Sequence, residues 1–437
     1  MPIILSFCIP LLLGNVFQQF YNMADSIIVG RFIGVDAFAS VGSTTAVNFL
    51  VIGFVLGLCN GFCIPIAQSF GAGDLSGLRR FLANAFYLSV GFTILLTAIT
   101  MIFTRQILVI MDTPEDIING AYSYIIVIFA GIAAIMAYNL LASLLRALGD
   151  SRTPLIFLAV ACVINVVLDL VFVAVLKMGV EGTAYATVIS QAVSAILCYS
   201  HIRKHFHILA FEKQELEFSW QHSKKLLGIG FPMALQFSIT AIGSVILQTA
   251  VNRLGTDLVA AVTAGNRISM LMFVPLETLG ITMATYCGQN TGAKKLNRVK
   301  KGILAALALM LIYCVIAGLT LWFLSGYIAQ IFIKKEEVEI IKNAVIFLRF
   351  CGICYPLLGV LMVFRNSVQG MGFSIMPMFA GLSELAARGL IGMFLVGVWG
   401  FTAVCLAAPT AWLLADFILI PTYFMSIKKL KRVFRSE

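Results

Sequence analysis

Charge-poor apolar stretches of about 20 residues or more, the length a helix needs to cross a bilayer, recur twelve times along this chain. They fall near 3–31, 38–69, 78–104, 117–146, 153–176, 181–203, 225–253, 259–290, 299–325, 338–368, 375–398 and 402–427. The 437 residues are 60% hydrophobic and only 11% charged, against about 25% charged in a water-facing domain. Mean hydropathy is +0.99. A chain of this kind is expected to be an all-α integral membrane protein. A soluble enzyme, a disordered protein and a disulfide-stapled secreted domain are excluded. The first stretch is too long for a cleavable signal, holds Asp25 and precedes many more spans, so it is expected to stay in the mature protein.

The connectors alternate in basic charge. The even-numbered connectors and the C-terminal tail hold Arg79, Arg80, Arg146, Arg152, five basic residues in 201–225, five in 291–301 and five in 428–435, which is 19 of the 30 Lys and Arg. The odd-numbered connectors hold 7. The positive-inside rule then places both termini and the central linker in the cytoplasm. The net charge of +10 follows this pattern and so suits topology rather than nucleic-acid binding. The expected organisation is an N-terminal six-helix lobe over 1–204, a cytoplasmic linker over 205–224, and a C-terminal six-helix lobe with a basic tail over 225–437.

The two halves resemble each other. Residues 34–72 align without a gap on 255–293, matching Gly34, Asp36, Ala39, Gln68, Gly71 and Ala72 to Gly255, Asp257, Ala260, Gln289, Gly292 and Ala293. Arg146-Ala-Leu-Gly149-Asp-Ser151-Arg-Thr-Pro154 likewise matches Gln369-Gly-Met-Gly372-Phe-Ser374-Ile-Met-Pro377. Six helices per half is an even number, so both halves begin on the same side. They are expected to be related by a pseudo-two-fold axis along the membrane normal, with a cleft between two lobes.

Ionisable residues within apolar spans cost roughly 2.5–3.5 kcal/mol each on insertion scales and mark functional sites. The first helix carries Gln18, Tyr21, Asn22 and Asp25 as a polar stripe, with Pro10 upstream expected to kink it. The alternative for Asp25 is a place in interfacial water near the helix end. Asn165 and Asp169 lie one turn apart on the fifth helix, where a structural interhelical hydrogen bond is the alternative. Thr183, Thr187 and Gln191 follow at four-residue spacing, and each Thr can equally bond back to its own helix. If Asp25 and Asp169 meet, their carboxyl oxygens could share a proton or, with Thr187, hold Na⁺. In the second half Gln236, Thr240, Ser244, Gln248 and Asn252 form an uncharged stripe. Glu277 is the acidic group to watch there, and Arg267 shares its span. Glu384 and Arg388 are expected to pair with each other, and Arg365 to snorkel from a helix end.

Other constellations carry little. His201, His205, His207 and His222 lack Cys or carboxylate companions at ligand spacing and read as a solvated loop, so no metal is expected. The ten cysteines have no framework spacing. Cys351 and Cys354 form a C-x-x-C inside a hydrophobic helix and read as small apolar residues. P-loop, H-E-x-x-H and G-x-S-x-G motifs are absent from the sequence, which argues against ATP-driven transport by this chain and the common hydrolase chemistries.

Taken together, Pro10 with Phe17-Gln-Gln-Phe-Tyr-Asn-Met-Ala-Asp25-Ser-Ile-Ile-Val-Gly30, Gln68-Ser-Phe-Gly71-Ala72 with its echo Gln289-Asn-Thr-Gly292-Ala293, Arg146 through Pro154, Asn165-Val-Val-Leu-Asp169 and Gly182-Thr-Ala-Tyr-Ala-Thr187 resemble the multidrug and toxic compound extrusion (MATE) family. The resemblance spans nearly the whole chain and is closest to the bacterial DinF/MepA-like branch. It implies a monomeric antiporter in the bacterial plasma membrane, without a cofactor, that exports amphipathic or cationic small molecules in exchange for H⁺ or, second, Na⁺. Asp25, Asn165, Asp169 and Thr187 correspond to the family's N-lobe cation network, and Pro10 to the proline about which its first helix bends. Gln18, Tyr21, Asn22, Gln236, Thr240 and Glu277 are candidate substrate contacts. The sodium-coupled branch also has acids in helices seven and ten. Here helix seven has none and helix ten has only Glu339 at its entrance, which favours proton coupling. The first span starts almost at Met1, shorter than the family pattern, so a few preceding cytoplasmic residues are expected. A flippase for a lipid-linked saccharide is the rival, carried by Arg267, Arg365 and Arg388, and a membrane-embedded enzyme is a distant third.

Overall fold

The computed structural model describes residues 2–111 and 113–436, apart from the side chains of Val35 and Ser436. Twelve helical elements account for the architecture, and the described residues include no strand. They are α1 (Pro2–Ile28), α2 (Val35–Ala72), α3 (Leu75–Ile110), α4 in two pieces (Glu115–Ala130 and Ile132–Ala147), α5 (Arg152–Asp169) and α6 (Glu181–His205). After the linker come α7 (Trp220–Asn252), α8 (Thr256–Gly292), α9 (Leu296–Ala329), α10 (Val338–Gly370), α11 (Ile375–Leu390) and α12 (Phe401–Ser436). Ten of these, taken with the turns that extend them, are individually long and apolar enough to cross a membrane, and the two pieces of α4 qualify together. The twelfth, α6, has 25 residues but is made more polar by Thr183, Thr187, Ser190, Gln191 and Ser194. The chain is a multi-pass membrane protein.

The break in α4 has a local cause. Its pieces meet at 49° around Gly131, where a Cβ would lie 2.2 Å from Val188 Cγ2 of α6. Only glycine permits that approach. Close helix contact in the first half also uses Gly57 and Gly61 of α2 against Gly230 and Ala234 of α7. A Cβ on Gly61 would stand 2.4 Å from Gly230 Cα, and one on Gly57 2.5 Å from Ala234 Cα. This is the small-residue spacing by which helices in lipid bring their backbones together.

The internal repeat is written into the backbone. Eight described residues have left-handed φ, and they form four pairs: Gly34 with Gly255, Gly73 with Lys294, Gly149 with Gly372, and Lys177 with Gly400. The first two pairs keep the spacing of the 34–72 alignment, and the last two keep that of the Gly149 and Gly372 segments. Each pair ends or begins a helix, where a positive φ closes the turn. A π-helical turn also follows α5 (Leu170–Val175) and α11 (Ile391–Leu395), in the same connection of each half though not in strict register. Contacts gather Ser6–Ala234 into one compact unit and Leu235 onward, with the residues up to Leu5, into a second. The polar stretch 205–224 and α7 as far as Ala234 therefore belong with the first unit.

The linker is docked rather than freely solvated. Arg79 of α3 donates through Nε to Glu215 Oε2 at 2.6 Å and through Nη1 to the Ile208 carbonyl at 3.2 Å. Tyr87 Oη donates to the Leu216 carbonyl, and Asn84 Oδ1 accepts from the Ser219 N–H and the Ser223 hydroxyl. The histidines are spread among different contacts. His201 stacks on His205, while His222 meets Ser219 Oγ at 2.8 Å and the edge of Phe81. Among the described residues no group of three or more His, Cys, Asp or Glu could hold a metal ion.

The Arg79 guanidinium and the Glu212 N–H hold the Glu215 carboxyl at about 2, below its ordinary 4.5. A depressed carboxyl contributes its docking energy above the ordinary value and loses it as pH falls toward the depressed one. A spin label on Lys213→Cys is therefore expected to be immobile at neutral pH and to gain mobility as pH falls from about 4.5 to 2. In Arg79→Ala it should be mobile throughout. An equally immobile label in both proteins at all pH values would contradict the clasp.

Candidate functional site

Four helices of the first unit bring polar groups to one place inside apolar surroundings. Asp25 lies near the end of α1, just before the π-helical turn Val29–Ile33, and Asp169 is the last residue of α5 before its own π-helical turn. The two turns pack on each other, and π-turns of this kind recur at functional sites because they redirect side chains. Asp169 and Asn165 have no exposed surface, and Asp25 is partly buried. Thr187 of α6 accepts a hydrogen bond from Tyr21 Oη at 2.9 Å and from Asn165 Nδ2 at 3.5 Å. Tyr21 thereby joins α1 to α6, and Asn165 joins α5 to α6.

The carboxyl groups of Asp25 and Asp169 lie within hydrogen-bond reach of each other. Neither oxygen of Asp169, nor Oδ1 of Asp25, has a donor among the described residues. Two carboxylates offer only acceptors, so contact between them requires a proton on one or a cation between both. Asn165 Oδ1 is a further buried acceptor without a donor among the described residues. The cluster thus has an excess of oxygen acceptors, and H⁺ or Na⁺ would satisfy it.

The remaining sequence candidates fall in different places. Gln18 and Asn22 are exposed on α1, so the four-residue stripe divides: Tyr21 and Asp25 join the cluster and the two amides do not. Pro10 lies within α1, which runs continuously past it. Thr183 bonds back to the Val180 carbonyl, and Gln191 Oε1 is buried without a donor among the described residues. Tyr124 of α4, which faces both acids, was not legible beforehand. A tyrosine in the run Ala121–Phe129 looks like ordinary helix packing.

The second unit carries a different constellation. Gln236 of α7 accepts from Gln369 Nε2 of α10 at 2.7 Å. Thr240 bonds back to the Gln236 carbonyl, Glu277 is partly buried, and Arg267 is exposed. Glu384 and Arg388 pair as expected at 3.6 Å. Arg365 does not snorkel: it is 4% exposed and donates to Glu384, because nearly all of α10 from Leu361 to Gly370 is enclosed by its neighbours. The repeat shows how far the units have diverged. At constant spacing Asn165 corresponds to Arg388, Asp169 to Gly392 and Thr187 to Thr410. A Cβ on Gly392 would meet the carbonyl of Ile246 at 3.8 Å and Leu247 Cα at 4.0 Å, and Leu247 corresponds to Asp25 when Pro232 is matched to Pro10. The helix contact persists while both acids are gone from it.

A duplicated set of membrane-spanning helices with polar clusters inside them is a build common among membrane transporters. Comparison with known proteins gives the chain's family. The MatE family model matches residues 10–171 and 232–394, once in each half. The chain is similar to the Probable multidrug resistance protein YpnP of Bacillus subtilis, 28% identical over 366 residues and covering 84% of this chain and 81% of that one. It is similar to a FAD transporter of Shewanella oneidensis, at 22% identity over 409 residues with 91% and 89% covered. A crystal structure of MATE in the bent conformation superimposes with a TM-score of 0.91 at 22% identity, covering 99% and 96% of the two chains. The chain belongs to the MatE family, the multidrug and toxic compound extrusion family. It is a transporter and not an enzyme.

The Tyr21–Thr187 bond should be measurable as coupling. Tyr21→Phe and Thr187→Val are each expected to lower stability in detergent by about 1 kcal/mol. The double variant should lose clearly less than the sum, because both changes remove the same bond. Strict additivity in thermal unfolding would show that the bond contributes nothing.

Proposed function

We propose that the protein is a secondary active efflux antiporter that exports amphipathic or cationic small molecules by alternating access in exchange for H⁺. The observation that carries this reading is the pair of facing carboxyl groups, Asp25 and Asp169, which lack donors inside the first unit. Such a pair can lose its charge by binding a proton, and the hydrogen-bonded Tyr21, Asn165 and Thr187 can transmit that change among α1, α5 and α6. Protonation rearranges α1, with Pro10 as its bending point, weakens substrate binding on the outward-facing side and resets the transporter. Na⁺ is the second choice of coupling ion. It draws on the same oxygens, and the uncharged polar stripe of α7 offers no acid for a further sodium site.

The energetics are adequate. One inward proton gains about 2.3 kcal/mol per 100 mV of membrane potential, and each pH unit of gradient adds about 1.4 kcal/mol. Together they sustain gradients of roughly several hundredfold for an electrically neutral substrate, since each 1.4 kcal/mol is about tenfold. The relatives' names as multidrug resistance proteins support drug-like substrates. The basic bias of the even-numbered connectors supports cytoplasmic termini in a plasma membrane, and a monomer suffices for this mechanism. Flipping of a lipid-linked saccharide is not favoured. Of the arginines that reading needs, Arg365 and Arg388 are both engaged by Glu384, and Arg267 stands apart, exposed on α8.

The test is efflux of a cationic dye from energised vesicles under separately imposed H⁺ and Na⁺ gradients, with Asp25→Asn and Asp169→Asn beside the wild type. Export should follow the H⁺ gradient and fall at least tenfold in both variants at equal expression. Undiminished export by Asp25→Asn would overturn the coupling assignment, and export that follows Na⁺ alone would replace the ion.

A further inference from the structure

The second unit contains a carboxyl group that the foregoing reading does not use. Asp416 lies in the middle of α12, in the run Leu413-Leu-Ala-Asp416-Phe417, and is 5% exposed. Neither of its oxygens has a donor among the described residues. The charged groups that act on it electrostatically are Arg365 of α10, a helix packed on α12, and Glu384 of α11. Glu384 is itself 5% exposed and holds two arginines at once, Arg365 through Oε1 and Arg388 through Oε2. The Nε–H of Arg365 is buried without an acceptor among the described residues. The Arg388 guanidinium lies against Gly243 of α7, where a Cβ would come within 3.7 Å of Nη1.

An arginine with an unused donor and a carboxyl with two unused acceptors thus belong to one buried cluster of two cations and two acids. We propose that Asp416 is a second protonation site, and that Arg365 ties α10 to α11 alone when Asp416 carries a proton but to α12 as well when it does not. The physical basis is the cost of leaving charge unsatisfied in an apolar interior. A protonated Asp416 is neutral and tolerates the absence of a donor. The cluster then consists of Glu384 with its two arginines and carries one net positive charge. When the proton leaves, the carboxylate neutralises the cluster and attracts the Nε–H of Arg365, for which the planar guanidinium has a separate direction from the one Glu384 occupies. Binding and release of one proton at Asp416 thus make and break an ionic tie between α10 and α12. No redox or covalent step is involved. The site is distinct from the Asp25–Asp169 pair, which lies on α1 and α5 of the other unit.

Infrared spectroscopy of the full-length protein in lipid reads the carboxyl directly and does not depend on transport. The background carries Asp25→Asn, Asp169→Asn and Glu277→Gln, so that Asp416 and Glu384 remain as the intramembrane acids of interest. A protonated-carboxyl C=O band is expected in this background, disappearing as pH is raised and lost on adding Asp416→Asn. A band that survives Asp416→Asn, or no such band in the background, would overturn the proposal. If Asp416→Asn does not fold, the wild-type chain answers the question. A hydrophobic carbodiimide adds only to protonated carboxyl groups, and peptide mass spectrometry should find an adduct on Asp416 that declines as pH rises. Adducts on Asp25 or Asp169 with none on Asp416 would contradict the site while leaving the proton-coupled reading of the first unit intact.

Discussion

The structure depends on one constraint: a carboxyl group inside hydrocarbon must find a donor, a cation or a proton. Asp25 and Asp169 find each other, which satisfies neither as an anion. Everything around them holds that arrangement in place. Two π-helical turns aim the acids, Tyr21 and Asn165 converge on Thr187, and the small residues of α2 let α7 pack backbone to backbone. A cluster that stays incomplete without a mobile cation is a poor contribution to stability. It is a good handle for an ion gradient.

Duplication explains why the second unit solves the same constraint differently. Its helix ends keep the left-handed residues of the first unit pair by pair, down to Lys294 opposite Gly73 and Lys177 opposite Gly400. The backbone conformation was inherited while the side chains diverged. Where the first unit has Asn165 and Asp169, the second has Arg388 and Gly392. Its acids moved to Glu384 and Asp416, and arginines came with them. One unit thus presents acids without cations, and the other presents acids among cations. Within a family the fold does not prescribe the chemistry of each lobe.

Much of this was legible in the sequence, for identifiable reasons. The helices announce themselves as apolar runs, and Asp25, Asn165 and Asp169 stand out because such residues are rare inside them. The repeat was visible in part because Gly34 and Gly149 recur as Gly255 and Gly372 at helix ends where φ is positive. The break at Gly131 was not, since one glycine in an apolar run is unremarkable until Val188 is seen against it. Tyr124 could not be distinguished from packing. Asp416 obeys the same rule as Asp25 but its companions are remote in sequence. Arg365 looked like a helix-end residue free to reach water, and only the packing of α10 on neighbours such as α8 and α12 encloses it. Sequence shows which groups are out of place in lipid. Partnership across helices comes from the fold.

The account's central claim is that Asp25 and Asp169 share a proton that substrate binding displaces. The most direct test is to add a cationic dye to purified protein in weakly buffered detergent solution and follow pH with an indicator. About one proton released per bound dye is predicted for the wild type, and none for Asp25→Asn at matched occupancy. Tight dye binding by the wild type with no proton release would contradict the account.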